Sequence, residues 1–282
     1  MIVRAGKINR AILIASPHLR VIVKHGVGYN NIEIDTATEL GLPVLYTPLA
    51  NFESVSEHTL ALIFALFKKL TLLDYEMKTK KEWPKTKYTM NELQHKCLGV
   101  VGFGRVGSKL VQLISPLKME VLVYDPFVSE KNLPQEIQKV KSIKELARKA
   151  DIISIHCPLT KETYHLFGEE ELNSMKSTAY LINTARGKIV DEVALIKALE
   201  KGLIAGAGLD TFEQEPLPPD NLLLKLDNVI LTPHIGGFTN ESIVRMGITA
   251  VELAFQVLNG KQEDIVPNNF INPVVMQKKT NL

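Results

Sequence analysis

The sequence predicts an α/β fold: a doubly wound parallel sheet covered by helices, joined to a second, smaller lobe. Three observations predict it. From Cys97 onward, short runs that are apolar throughout alternate with helix-like stretches, the pattern of parallel strands buried on both faces. A glycine-rich turn, Gly102-Phe103-Gly104-Arg105-Val106-Gly107, stands between the first of these strands and the helix that follows. Several later strands end in polar residues, and in an open α/β sheet ligands bind outside the carboxyl ends of the strands.

The chain has 282 residues, and at ~100–200 residues per domain two domains are expected. Hydrophobic residues make up 45% and charged residues 23%, which excludes a disordered chain. A net charge of +2 offers no bulk electrostatic case for a nucleic acid or membrane partner. Cys97 and Cys157 form no CxxC pair, so neither a disulfide framework nor a metal ligand set is read, and a cytoplasmic location is expected. The longest unbroken apolar run, Leu60–Phe67, is far short of the ~18 residues of a membrane span. Basic residues precede the apolar Ala11–Ala15, but that core is below the ~7–15 residues of a signal peptide.

Taken in order, Val21–Val23 and Pro43–Tyr46 read as strands, with a helix over Asn31–Leu40 between them, ended by Gly41. Ser54 and Glu57 match a capping box, opening a helix that is apolar nearly all round from Leu60 to Phe67 and so buried on most faces. Thr71–His95 reads as an irregular connector. Strands follow at Leu98–Val101, Glu120–Tyr124, Ile152–Ile155, Ala179–Ile182, Ala205–Leu209 and Val229–Leu231. Helices are read at Val106–Leu113, Ser142–Ala150, Glu169–Met175 and Glu192–Lys201. Thr239–Asn259 reads as a long final helix and Ile265–Val275 as an extended tail.

The glycine turn has the context that gives GxGxxG its meaning, a strand before and a helix after. Gly102 permits the tight turn, Gly104 lets the backbone approach a pyrophosphate, and Gly107 lets helix and strand pack closely. The helix start at Arg105 and Val106 offers free N–H groups to the phosphates. Asp125 ends the next strand, where an acid binds the adenosine ribose hydroxyls and repels a 2′-phosphate. Pro126 and Phe127 follow, with no Arg or Lys nearby in sequence, so NAD is expected over NADP. This defines a Rossmann-type sheet with expected strand order 3-2-1-4-5-6. His156 and Cys157 are adjacent on a strand end and therefore point to opposite sides, which argues against a thiolate–imidazole pair.

GFGRVG with Asp125, NTARGKIVDE, LDTFEQEP and TPHIGGFT occur in one order and spacing along the chain. In these motifs, and in the front segment KHGVGYNNIEIDTATELGLPV, the sequence resembles the D-isomer-specific 2-hydroxyacid dehydrogenases. The resemblance covers essentially the whole chain. It implies an NAD-dependent oxidoreductase that moves a hydride between nicotinamide and a D-2-hydroxy acid or 2-keto acid. It implies three catalytic residues: Arg186, Glu215 and His234. A His holds and returns the proton, a carboxylate orients its ring, and an Arg fork binds carboxylate and keto oxygens. For the cofactor it implies Arg105-Val106, Asp125, Pro158, Thr184-Ala185-Arg186, Asp210, His234 and Gly236-Gly237. For the substrate it implies Val27-Gly28, and on the phosphoglycerate dehydrogenase branch Arg4 and Lys24 as phosphate contacts. Hydroxypyruvate or glyoxylate is the other substrate class.

Three segments are expected: a substrate lobe over 1–50, an NAD-binding domain over 51–238, and a return helix and tail over 239–282. The resemblance implies a flavodoxin-like substrate lobe, incomplete here because the family usually carries an opening strand and helix ahead of the segment matching Ile2-Val3-Arg4. It also implies a homodimer built through the cofactor domains, consistent with the apolar Leu60–Phe67 helix. An NAD(H)-sensing corepressor-like binding protein and a truncated, inactive member of the family are the alternatives.

Overall fold

The computed structural model describes residues 1–277; the last five residues of the expected 239–282 segment lie outside the described residues. The chain divides into two units, one of residues 1–54 and 237–282 and one of residues 55–236.

The first unit opens with β1 (Ile2–Val3), α1 (Arg10–Ile14), β2 (Ile22–Lys24), α2 (Ile34–Glu39) and β3 (Val44–Tyr46). The three strands form a parallel sheet in the order β1-β2-β3. Ile22 and Val44 turn to one face and pack with Leu13, Ile32 and Ala37. Val23 and Leu45 turn to the other and pack with Ala250, Leu253 and Val257. Alternation along each strand thus buries both faces. The helix expected over Asn31–Leu40 starts late, at Ile34. Ile32 is taken by a parallel bridge to Ile8, and the Glu33 amide donates to the Ile8 carbonyl at 2.9 Å. Helix α1 was not read from the sequence; Asn9 caps it, its side chain accepting the Ile12 amide at 3.1 Å.

Helix α3 (Phe52–Phe67) starts before the expected capping box. Ser54 lies inside it, and its hydroxyl meets the Thr239 hydroxyl at 2.9 Å instead of capping. The segment expected as an irregular connector begins helically, with α4 (Leu70–Tyr75) and a π-helical turn over Glu76–Lys80. The Glu76 carboxylate is buried there and accepts from Lys87 and Tyr88, each at 2.7 Å. Those hydrogen bonds hold its carboxyl below the usual range.

The second unit then runs β4 (Cys97–Val101), α5 (Arg105–Ile114), β5 (Glu120–Tyr124), β6 (Ile137–Lys139), α6 (Ile143–Lys149), β7 (Ile152–Ile155), α7 (Glu169–Ser174), β8 (Tyr180–Asn183), α8 (Glu192–Glu200), β9 (Gly206–Leu209) and β10 (Val229–Leu231). Its seven strands are all parallel, in the order β10-β9-β8-β7-β4-β5-β6. This is the expected Rossmann order with one strand added. The third strand of that order is β6, which the sequence reading missed: it is three residues long and buries only Ile137. Val229–Leu231, read as the sixth strand, is the seventh.

The sheet is buried on both faces. Leu98, Val100, Val123, Ile152 and Ile182 pack with Leu62, Leu66 and Leu110 on one side. Val101, Ile153, Ile155, Leu181 and Leu209 pack with Leu146, Leu172 and Leu195 on the other. Each fully buried Leu or Ile contributes ~1.5–3 kcal/mol. The chain reverses its direction of travel across the sheet between β4 and β7. The ligand crevice of such a sheet therefore opens at the carboxyl ends of these two strands.

Helix α9 (Asn240–Leu258) belongs to the first unit; the helix expected over Thr239–Asn259 has those two residues as its caps. The tail is not extended. It folds into 3₁₀ turns at Gln262–Asp264 and Pro267–Asn269 and a final turn, α10 (Val274–Gln277). One antiparallel bridge, Leu45 to Phe270, is all its strand pairing among the described residues. Among the described residues no helix is long and apolar enough to cross a membrane.

Candidate active site

At the β4–α5 turn, Gly102 has φ +91°, and a Cβ on it would lie 2.7 Å from the Cys157 backbone nitrogen. A Cβ on Gly107 would lie 2.3 Å from the Gly102 carbonyl oxygen. Both positions require glycine. Gly104 has open space around it and is the N-cap of α5, with no side-chain cap bond. Arg105 is exposed in the first turn. The uncapped amides of a ten-residue helix, behind a glycine with nothing above it, fit a dinucleotide pyrophosphate.

Asp125 ends β5. Its two carboxylate oxygens accept the Phe103 and Phe127 amides, both at 2.8 Å. The aspartate is thereby fixed against the glycine turn. The cavity beside it is also lined by Glu130, Lys139 and Lys141. The expectation that no Lys stands near Asp125 holds in sequence but not in space, because the unread strand β6 brings two lysines alongside. Lys139 is partly engaged, donating to the Val128 carbonyl. Pro158 is exposed, and its carbonyl accepts the Thr163 hydroxyl at 2.6 Å.

The strand ends of β8, β9 and β10 carry the remaining groups. After β8, buried Asn183 braces the turn: its amide donates to the Arg186 carbonyl at 2.9 Å and its oxygen accepts the Ala185 amide at 3.0 Å. Thr184 is buried, and its hydroxyl meets the Thr59 hydroxyl at 2.9 Å. The Arg186 guanidinium donates to the Ala185 carbonyl at 2.6 Å. Gly187 follows in direct contact with the next loop; a Cβ there would lie 1.9 Å from the Phe212 carbonyl carbon. Gly187→Ala is therefore expected to cost about 1–3 kcal/mol or more. At ~2–4 °C per kcal/mol, thermal melting reads it as a drop of several degrees.

Glu215 and His234 form a pair, Oε2 to Nδ1, at 2.7 Å. The other carboxylate oxygen accepts the Phe212 amide at 3.1 Å. Burial works to raise the Glu215 pKa. It is outweighed by the His234 hydrogen bond, the Phe212 amide and the His234 and Arg186 charges, which hold it below the usual range. An ionised carboxylate only accepts, so Nδ1 of His234 carries the proton of this bond. His234 sits at φ +52° with an exposed side chain.

Asp210, at the end of β9, is 2% exposed. Its Oδ1 accepts the Thr232 hydroxyl at 2.6 Å and the Ile235 amide at 2.9 Å, and its Oδ2 accepts the Gly236 amide at 2.8 Å. Burial opposes ionisation, but hydrogen bonds from His58, Thr232 and the two amides hold the carboxyl below its usual range. Asp210 thus holds the turn that carries His234, a duty beyond the cofactor contact expected of it.

His165 stands between two carboxylates. His165 Nε2 is 2.8 Å from Glu213 Oε1, and His165 Nδ1 is 3.8 Å from Asp191 Oδ2. Asp191 also caps α8, and Glu213 accepts the Glu192 amide at 3.1 Å. His165 ties the Arg186 segment to the Glu215 segment. No thiolate–imidazole pair forms at the β7 end: burial lowers the His156 pKa to about 3 and raises that of Cys157 to about 11.

The second unit thus brings together Arg186, Glu215, His234, Asp210 and Gly236. Gly237, Val27, Gly28, Arg4 and Lys24 belong to the first unit. Val27 and Gly28 fall in the bend after β2. Arg4 stacks its guanidinium 4.6 Å from the centre of the Phe238 ring. Lys24 is 7% exposed; its ammonium donates to the Arg4 carbonyl and, at 2.9 Å, to Asn31 Oδ1. Lys24, expected as a phosphate contact, is thus buried with its ammonium on internal acceptors. Sequence reasoning reads Asn183 and Thr232 only as polar strand ends, without a role, and misses His58 and His165. Their only signal is position, within a residue or two of a motif or facing one from another element.

Residues 60–236 match the D-isomer specific 2-hydroxyacid dehydrogenase NAD binding domain, and the chain belongs to this family. It is accordingly an NAD-dependent oxidoreductase of 2-hydroxy acids. It is 42% identical over 268 residues to a glyoxylate reductase of Thermofilum pendens, covering 93% of this chain and 78% of that one. It is 41% identical over 246 residues to a D-3-phosphoglycerate dehydrogenase of Archaeoglobus fulgidus, covering 87% of this chain but 46% of that protein's own length. A D-lactate dehydrogenase of Aquifex aeolicus, solved with NAD and lactic acid, superposes with a TM-score of 0.84. That match has 35% identity over 96% of this chain and 86% of the other.

Proposed function

We propose that this enzyme reduces a small, unphosphorylated 2-keto acid of the glyoxylate or hydroxypyruvate class with NADH, His234 acting as the general acid. The observation that carries the chemistry is the 2.7 Å Glu215–His234 bond. It fixes the proton on Nδ1 and leaves Nε2 to give a proton to the substrate oxygen in reduction and take it back in oxidation. Arg186 presents a fork of donors to the carboxylate and keto oxygens, and its charge stabilises the alkoxide as it forms. The α5 amides would hold the pyrophosphate, Asp125 the ribose and Pro158 the adenine side. Thr184, Ala185 and Asp210 would hold the nicotinamide side, and the bound cofactor would supply the hydride.

The substrate class rests on Lys24. With its ammonium held by Arg4 and Asn31, a phosphorylated substrate loses one of the two cations expected for it. NADH consumption with glyoxylate, hydroxypyruvate, pyruvate and phosphohydroxypyruvate tests this. Turnover is expected to be highest with one of the first two. A preference for phosphohydroxypyruvate would overturn the substrate assignment and leave the reaction standing.

Asp125 sets the cofactor choice. With two lysines already in its cavity, Asp125→Ser is expected to raise the NADPH-to-NADH ratio of kcat/KM by at least about tenfold, ~1.4 kcal/mol. Steady-state kinetics with both cofactors measure it.

A homodimer through the cofactor unit is supported by apolar side chains in its 70–90 segment: Leu70 is 54%, Tyr75 51% and Trp83 76% exposed. Burial of these side chains against a second copy would remove apolar surface from water. Light scattering is expected to give twice the chain mass, and Trp83→Lys to lower it. The free thiols of Cys97 and Cys157 suit the cytoplasm.

A further inference from the structure

The loops of the site lean on one helix that no motif names. Two consecutive side chains of α3, His58 and Thr59, reach them. The Thr59 hydroxyl donates to the Val55 carbonyl at 2.8 Å. Its oxygen is therefore the acceptor for Thr184, two residues before Arg186. His58 reaches the other loop, its Nε2 lying 3.0 Å from the Thr232 hydroxyl oxygen. That hydroxyl has one hydrogen, and it is spent on Asp210 Oδ1 at 2.6 Å. Thr232 can only accept from His58, so Nε2 of His58 carries a proton. The same nitrogen is 3.5 Å from Asp210 Oδ1.

From Asp210 the chain of bonds runs to the amides of Ile235 and Gly236, the two residues after His234. His234 itself is left-handed, at φ +52°, a conformation disfavoured for a residue with a Cβ. It persists only where its surroundings over-determine it. The ring of His58 also lies under this turn: a Cβ on Gly236 would be 3.0 Å from His58 Cδ2.

We propose that His58 is a positioning residue for proton transfer. Its Nε2–H orients Thr232, Thr232 completes the shell of Asp210, and Asp210 holds the strained turn that aims His234 at Glu215. This inference rests on the general-acid role of His234 only for its effect on rate; its structural half is testable without turnover.

The test compares His58→Leu, His58→Asn and His58→Gln. The Gln side-chain amide brings an N–H to the reach of the imidazole Nε2, whereas Asn falls one carbon short and Leu has none. His58→Leu and His58→Asn are expected to lower kcat for the keto acid about 10- to 100-fold, the cost of a misaimed group. NADH affinity should stay within about twofold, since the α5 amides bind the phosphates. His58→Gln should recover most of the rate. Amide hydrogen exchange of residues 232–237, read by mass spectrometry on the apo protein, should quicken in His58→Leu and return to the parent rate in His58→Gln. Exchange unchanged in His58→Leu, or His58→Gln behaving as His58→Leu in exchange or in kcat, overturns the proposal. A parent protein without turnover would instead defeat the reaction assigned to the site, and the exchange result would still decide the role of His58.

Discussion

Replacing His234 by alanine is expected to slow keto acid reduction by about 10²–10⁴-fold while NADH still binds, the contribution of a positioned general acid. The residue lies outside the glycine turn and helix α5, so the phosphate contacts do not depend on it. Its side chain is exposed, and its removal empties no core. The effect therefore falls on kcat, and stopped-flow NADH binding beside steady-state rates separates the two. Glu215→Gln is the informative partner. A glutamine can place either its oxygen or its amide toward Nδ1 and no longer dictates which ring nitrogen carries the proton. Its rate should fall by less than that of His234→Ala. The Glu215 anion itself persists to pH values below the usual carboxylate range, because the His234 bond, the Phe212 amide and the Arg186 charge outweigh its burial. Loss of rate on moderate acidification is thus not expected from Glu215.

Arg186→Ala is expected to cost about 10²–10³-fold in kcat/KM for the keto acid, the range for removing a charge-stabilising donor from a developing oxyanion. The backbone at this position is held from elsewhere. Asn183 clasps the Arg186 carbonyl and the Ala185 amide, and Thr184 is tied to Thr59. The turn should survive the substitution, with unchanged melting and NADH affinity. Arg186→Lys keeps the charge but not the fork, and should recover only part of the loss. A fully active Arg186→Ala would remove the arginine from the mechanism. A collapse of folding would mean that the guanidinium supports the turn instead.

The sheet was legible where two signals coincided. Glu120–Tyr124 and Ile152–Ile155 are apolar runs bounded by helix signals, and both strands fall where expected. Strand β6 carries one buried residue, Ile137, at the sheet edge, and a three-residue edge strand leaves almost no periodic trace. The same omission hid Lys139 and Lys141 from the neighbourhood of Asp125. Ile32 illustrates a tertiary override: the local pattern extends the helix back to Asn31, but a bridge to Ile8 takes the residue first. Ser54 matches a capping box, yet its partner, Thr239, lies far along the chain, and no local pattern reports it.

At the site, motif spacing named the side chains that would meet substrate but not the layer that aims them. Lys24 and His58 illustrate the gap. Burial redirected the first into the protein, which residue type cannot show. The second contributes one N–H to a chain of bonds assembled from three separate elements.

The most direct measurement of the central claim is label transfer. The enzyme is incubated with glyoxylate or hydroxypyruvate and NADH deuterated at the reactive C4 position, and the product is examined by mass spectrometry and NMR. Deuterium bonded to C2 of the 2-hydroxy acid, formed by the parent protein and nearly absent with His234→Ala at equal NADH occupancy, is the predicted result. Saturating NADH binding with no label at C2 for any of the keto acids would contradict it.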